Sequence, residues 1–185
     1  MSAHLVVILV AGTAAVAVAV GVAAGRRRRA HHRARGPGRI LFPIVGSALS
    51  KPALDAALRI AAAQDATLVA AYLAPVPLHL PLDAALAREC ERALPLLEAL
   101  EQRAGAAGVP VDSRIERGRT YRHAFLELVE HERYDRIVVT ASPDGTAGFT
   151  AADIGWLLRR APGEIVVLRP GEEAPARARP MAAAA

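Results

Sequence analysis

Between residues 39 and 170, five short strand-like segments alternate with four stretches whose apolar residues recur at helical spacing, and this rhythm limits the fold more than any other feature. Ile40 to Val45 is short and apolar, suited to a strand buried on both faces. Ser50 can cap the helix that follows, with Lys51 and Pro52 in its first turn and Leu54, Leu58 and Ala61 repeating along it. Thr67 to Leu73 reads as a second strand and Pro75 to Pro81 as a loop. Leu82 to Ala106 is a long helical pattern, closed by Gly105 and Gly108, that Pro95 is expected to kink or divide. Val109, Val111, Ser113 and Ile115 alternate with Asp112, Arg114 and Glu116, which predicts a third strand with one polar face at a sheet edge, ended by Gly118. Thr120 caps a helix with the stripe Tyr121, Phe125, Leu128 and Val129, and Arg136 to Thr140 is the fourth strand. Asp153 to Arg160 predicts a short helix with Ile154, Leu157, Leu158 and Ala161 inward; Pro162 and Gly163 end it before a last strand, Glu164 to Arg169. Such alternation specifies a doubly wound α/β fold: a mainly parallel five-stranded sheet with right-handed crossovers and a ligand crevice at the carboxyl ends of its strands.

The chain ahead of this domain follows a different solvent. Leu5 to Ala24 is a run of 20 residues without a charge, ten of them Leu, Ile or Val. At about 1.5 Å per residue it matches the roughly 30 Å hydrocarbon core of a bilayer. Arg26, Arg27, Arg28 and Arg29 follow at once, and no Lys or Arg precedes the run. Residues 1–25 are therefore expected to be a single-pass anchor in the inner or plasma membrane, through residues 5–24, with the N-terminus outside and the following domain cytoplasmic. Residues 26–38 form an Arg-rich juxtamembrane linker whose first four arginines are expected to meet anionic lipid headgroups, at about 1 kcal/mol each. The competing reading is a signal peptide cleaved after Val22-Ala23-Ala24, against which stands the absence of a basic leading region.

This division also explains the charge. The formal net charge is +5, but seven arginines and no acid lie in residues 26–39, whereas residues 40–169 hold 14 basic and 16 acidic residues, a net of −2. The domain gives no electrostatic case for nucleic acid. A single cysteine, Cys90, excludes an intramolecular disulfide and a cysteine-rich zinc site. Residues 171–185 read as a disordered Pro/Ala/Arg tail.

Over residues 39 to 170 the order of segments resembles the universal stress protein family, which shares its fold with adenine nucleotide alpha hydrolases. The pieces that carry the resemblance are Arg39 to Ser47, Ala53 to Leu73, Ala107 to Val111, Glu116-Arg-Gly118, Tyr134 to Val139 and Leu158 to Pro170. The resemblance implies strand order 3-2-1-4-5 and a homodimer through the last strand, Glu164 to Arg169. It also accounts for Pro43 inside a central strand, where a missing donor is otherwise disfavoured. Many family members bind ATP with an Asp at the end of the first strand and a G-x2-G-x9-G pattern after the fourth. Here Val45 stands at the Asp position, Thr140 and Pro143 at the early glycines, and Ala151 and Ala152 at the last glycine and its hydroxyl partner. Valine accepts no hydrogen bond, and proline offers no N–H to a phosphate. The implied reading is a membrane-anchored binding or signalling module of the stress response. It has no catalysis and no bound cofactor, and only a vestige of the nucleotide pocket: Pro43, Val45, Gly46, Gly118, Thr140, Gly145, Gly148 and Ala151. One alternative is an ATP-binding sensor or weak ATPase that uses the altered loop Thr140 to Thr150, where Gly145 and Gly148 keep a G-x2-G spacing and Thr146 or Thr150 offers a hydroxyl. Another is a scaffold that regulates a membrane transporter.

The remaining candidates read as solvated or packing residues. His123 and His131 lie eight apart on one helix without metal-ligand spacing. Ser47 and Ser142 have no motif partner for nucleophilic catalysis, Glu127, Glu130, Glu132 and Arg133 read as a solvated helix end, and Trp156 reads as a core or interface residue.

Overall fold

Helices cover both faces of a five-stranded sheet because its central strands are apolar on both faces. The computed structural model describes residues 38–169. Its elements run β1 (Gly38–Ile44), α1 (Lys51–Gln64), β2 (Ala66–Pro75), α2 (Ala87–Ala106), β3 (Val111–Gly118), α3 (Tyr121–His131), β4 (Arg136–Thr140), α4 (Ala151–Arg160) and β5 (Glu164–Leu168). The strands lie in the order β3-β2-β1-β4-β5, as the resemblance implied. The registered ladders β2–β3, β1–β4 and β4–β5 are all parallel.

Strand alternation divides the core. Ile40, Phe42 and Ile44 of β1 and Leu68, Ala70 and Tyr72 of β2 pack against Leu54, Ala57, Leu58, Leu97 and Leu100 of α1 and α2. Leu41, Val69, Ala71 and Leu73 point the other way, to Phe125 and Leu128 of α3 and Leu157 of α4. On the β4 side, Pro43 lies beyond the registered pairs Ile40 with Arg136 and Leu41 with Ile137.

Several expectations are corrected. The second helix begins at Ala87, five residues later than its pattern suggested, and runs through Pro95 undivided. Pro95 is exposed, so the carbonyl it deprives of a partner can turn to water. Leu158, expected inward, is 62% exposed, while Leu157 beside it is fully buried. Ser50 is the N-cap of α1 without a side-chain bond, whereas Thr120 accepts from the His123 N–H as predicted. Among the described residues no helix is long and apolar enough to cross a membrane. The expected span at residues 5–24, Arg26 to Arg29 and the tail at 171–185 all lie outside the described residues.

Candidate functional site

The connections of β1 and β2 carry helices to one face and those of β3 and β4 to the other, so the topological switch point falls between the carboxyl ends of β1 and β4. In open α/β sheets this is where ligands sit. Here it is lined by the β1–α1 turn, Val45 to Ser50, and by the β4–α4 loop, Ala141 to Thr150.

Val45 is 8% exposed and belongs to the core cluster of Leu41, Val139 and Phe149, so its side chain is committed to packing. Gly46 follows at φ +87°, a left-handed conformation. A Cβ there would lie 2.3 Å from the Thr146 carbonyl oxygen and 2.6 Å from that of Gly145, so the two main chains touch. The Ser47 and Ala48 N–H groups both donate to the Thr146 oxygen, at 2.9 and 3.0 Å.

The far half of this loop is rooted in the core. Phe149 is 1% exposed, its ring edge-on to Tyr121 at 6.4 Å. The Phe149 N–H donates to Thr140 O at 2.7 Å and the Ser142 N–H to Phe149 O at 2.8 Å. Gly148 takes φ +154°, and a Cβ there would meet Thr140 O at 2.3 Å, so glycine is required at this crossing. The near half is a turn around Asp144, whose Oδ1 accepts from Ser142 Oγ at 2.7 Å, Thr146 N at 3.1 Å and Thr146 Oγ1 at 2.8 Å. The Ser142 hydroxyl, then the Thr146 N–H and hydroxyl, hold this carboxyl at about 2, so it stays ionised at neutral pH. Ser142 is thereby spent on Asp144. At this crossing the loop turns the Thr146 carbonyl oxygen toward the β1–α1 turn, and Pro143 in its tip carries no N–H.

Of the eight pocket residues named from sequence, Val45, Gly46, Thr140, Gly145 and Gly148 come together here, with Pro43 buried two residues behind Val45. Ala151 is exposed as the first residue of α4. Gly118 stands apart at the end of β3, where a Cβ would meet the Ala124 N at 2.3 Å; it serves the close approach of α3.

Asp153 was not singled out from sequence. It is 4% exposed and completes a capping box with Thr150. It also accepts from Tyr121 OH at 2.8 Å and from Arg122 at 2.6 Å. Burial pushes its carboxyl up, but the bonds from Thr150, Arg122 and Tyr121 outweigh that and leave it lowered. The spacing Thr150-x-x-Asp153 is the signal that could have found it.

A second concavity of about 420 Å³ lies between β3 and α3 and includes Arg114, Glu116, Arg117, His123, Glu127 and His131 in its lining. Its charges largely pair with one another. Arg114 donates to Asp112 and to Glu132, which also receives Arg39 and Tyr134. Glu132 therefore ties β1, β3 and α3 together rather than ending a solvated helix. Burial raises the Glu116 carboxyl. Among the described residues no group of three or more His, Cys, Asp or Glu side chains is placed to hold a metal ion.

The fold is similar to a universal stress protein family structure from Burkholderia pseudomallei, at 24% identity and a TM-score of 0.53, covering 71% of this chain and 95% of that one. It is similar to a universal stress protein in complex with cAMP, at 23% identity and a TM-score of 0.53, covering 71% and 96%. A family protein from Arabidopsis thaliana with AMP bound aligns at 16% identity and a TM-score of 0.53, covering 76% and 97%. Among the curated proteins no relative matches the sequence. The universal stress protein family profile matches residues 37–179, and the chain belongs to that family.

Proposed function

We propose that this chain is a membrane-anchored binding and signalling module of the stress response whose nucleotide crevice is degenerate and whose domain performs no catalysis. The observation that carries this reading is the Thr146 carbonyl seated on the Ser47 and Ala48 amides, which puts the chain's own loop at the switch point. Val45 in the core and the ionised Asp144 support it. The uncharged run at 5–24 and the arginines after it support the anchor. Resistance of the full chain to alkaline carbonate extraction tests the anchor; release into the soluble fraction contradicts it.

A nucleotide-sensing role is the second reading, favoured by two structural neighbours, one in complex with cAMP and one with AMP bound. Calorimetric titration of the full chain in detergent with Mg-ATP, AMP and cAMP separates the readings, since micromolar binding of any of them selects the sensor. For assembly, we propose that β5 pairs with a second copy. It is an edge strand, Val167 on it is 39% exposed, and Leu158 on the adjoining helix is exposed as well.

A further inference from the structure

The β4–α4 loop is built in two parts of unequal commitment. Ser142, Gly148 and Phe149 are buried, whereas Pro143, Asp144 and Thr146 at the tip are exposed, as are Gly46, Ser47 and Ala48 opposite them. The tip meets the β1–α1 turn through the paired bonds to the Thr146 oxygen, both at the surface, and is shaped by the turn around Asp144. The bonds that hold the tip are thus separate from those that seat Phe149.

From this arrangement we infer that residues 143–147 are an autoinhibitory latch: Thr146 O occupies a two-amide site at Ser47 and Ala48 that, once freed, takes an oxygen of a phosphate-bearing ligand, and Asp144 keeps the latch shut. The inference rests on the closed-crevice reading above and adds that the closure is reversible. Two successive N–H groups converging on one oxygen form a small anion-binding concavity. An anionic oxygen makes the stronger bond to such donors, because charge-assisted hydrogen bonds are about twice as strong as neutral ones. Asp144 opposes the exchange by organising the turn that presents Thr146.

Two variants of the full chain test the latch. Asp144→Asn keeps the side-chain shape and removes the charge, and Asp144→Ala also removes the acceptor that holds Ser142 and Thr146 in the turn. Amide exchange at Ser47 and Ala48 is read by mass spectrometry, and binding is read by titration with ATP, pyrophosphate and adenosine. The expected result is exchange at least tenfold faster in both variants. ATP and pyrophosphate should bind at least tenfold more tightly than to the parent, with no gain for adenosine. Unchanged exchange in both variants overturns the latch, as does faster exchange without a gain in ATP binding; an equal gain for adenosine overturns the phosphate assignment. A parent chain that already binds ATP as tightly as the variants overturns the closed-crevice reading instead.

Discussion

Replacing Phe149 with alanine separates the rooted part of the β4–α4 loop from its latched tip. Phe149 is buried among Val45, Leu41, Val139 and Leu157 and packs edge-on to Tyr121. A Phe→Ala change at such a site costs about 3–5 kcal/mol, from lost transfer energy and the cavity left behind. The two surface hydrogen bonds of the tip are worth about 0.5–1.5 kcal/mol each, so the ring outweighs the latch in holding the loop to the domain. A domain of this size has a stability of about 5–15 kcal/mol, so the variant remains folded at room temperature where the parent exceeds about 6 kcal/mol. Trp156 is the only tryptophan and packs against Phe125 on the same face of the sheet, so its fluorescence reports this core directly. Urea unfolding should show the midpoint falling by about 1.5–2.5 M with an unchanged slope, taking a slope of about 2 kcal/mol/M. Phe149→Leu should cost much less. A loss below about 1 kcal/mol for the alanine variant would refute the claim that Phe149 anchors the loop.

Two other predictions concern the surroundings of the crevice. Asp153→Ala removes a cap worth about 1 kcal/mol and strips partners from Thr150 N and Tyr121 OH, for a total of about 2–4 kcal/mol once the half-exposed Arg122 pair is discounted. Because the folded Asp153 carboxyl lies below its ordinary value of 3.8, its stabilisation is fully present above that pH and is lost as pH falls through the lower folded value. The parent should therefore lose its advantage over Asp153→Asn in acid unfolding scans below about pH 4, and a constant difference down to pH 2 contradicts the assignment. At the opposite edge, light scattering should give a dimer for the parent and a monomer for Val167→Asp, whose charge would sit on the β5 edge; a monomeric parent removes the β5 interface.

The sheet was legible because its evidence is periodic. β1 and β2 are apolar runs, β3 alternates, and Gly118 and Gly163 punctuate the ends, so element order followed from spacing and strand order from the resemblance. Legibility failed where one side chain's surroundings decided the outcome. Pro95 stays within α2 because it faces water. Leu158 faces out because a ten-residue helix buries only a narrow stripe, here filled by Asp153 and Leu157. Glu132 looked like a helix end and is instead the meeting point of Arg39, Arg114 and Tyr134, residues distant in sequence or outside the helix. At the crevice, the resemblance led to the expectation of a weakened nucleotide site from Val45, Pro143 and Ala151. It could not show the contact from Thr146 to Ser47 and Ala48, which is made by main-chain atoms that no side chain advertises.

The central claim is that the chain's own β4–α4 loop holds the place a nucleotide would take. Titrating the full chain in detergent with Mg-ATP at neutral pH measures this most directly. The account predicts no saturable heat below millimolar ATP and an unchanged melting temperature; saturable binding at micromolar concentration would contradict it.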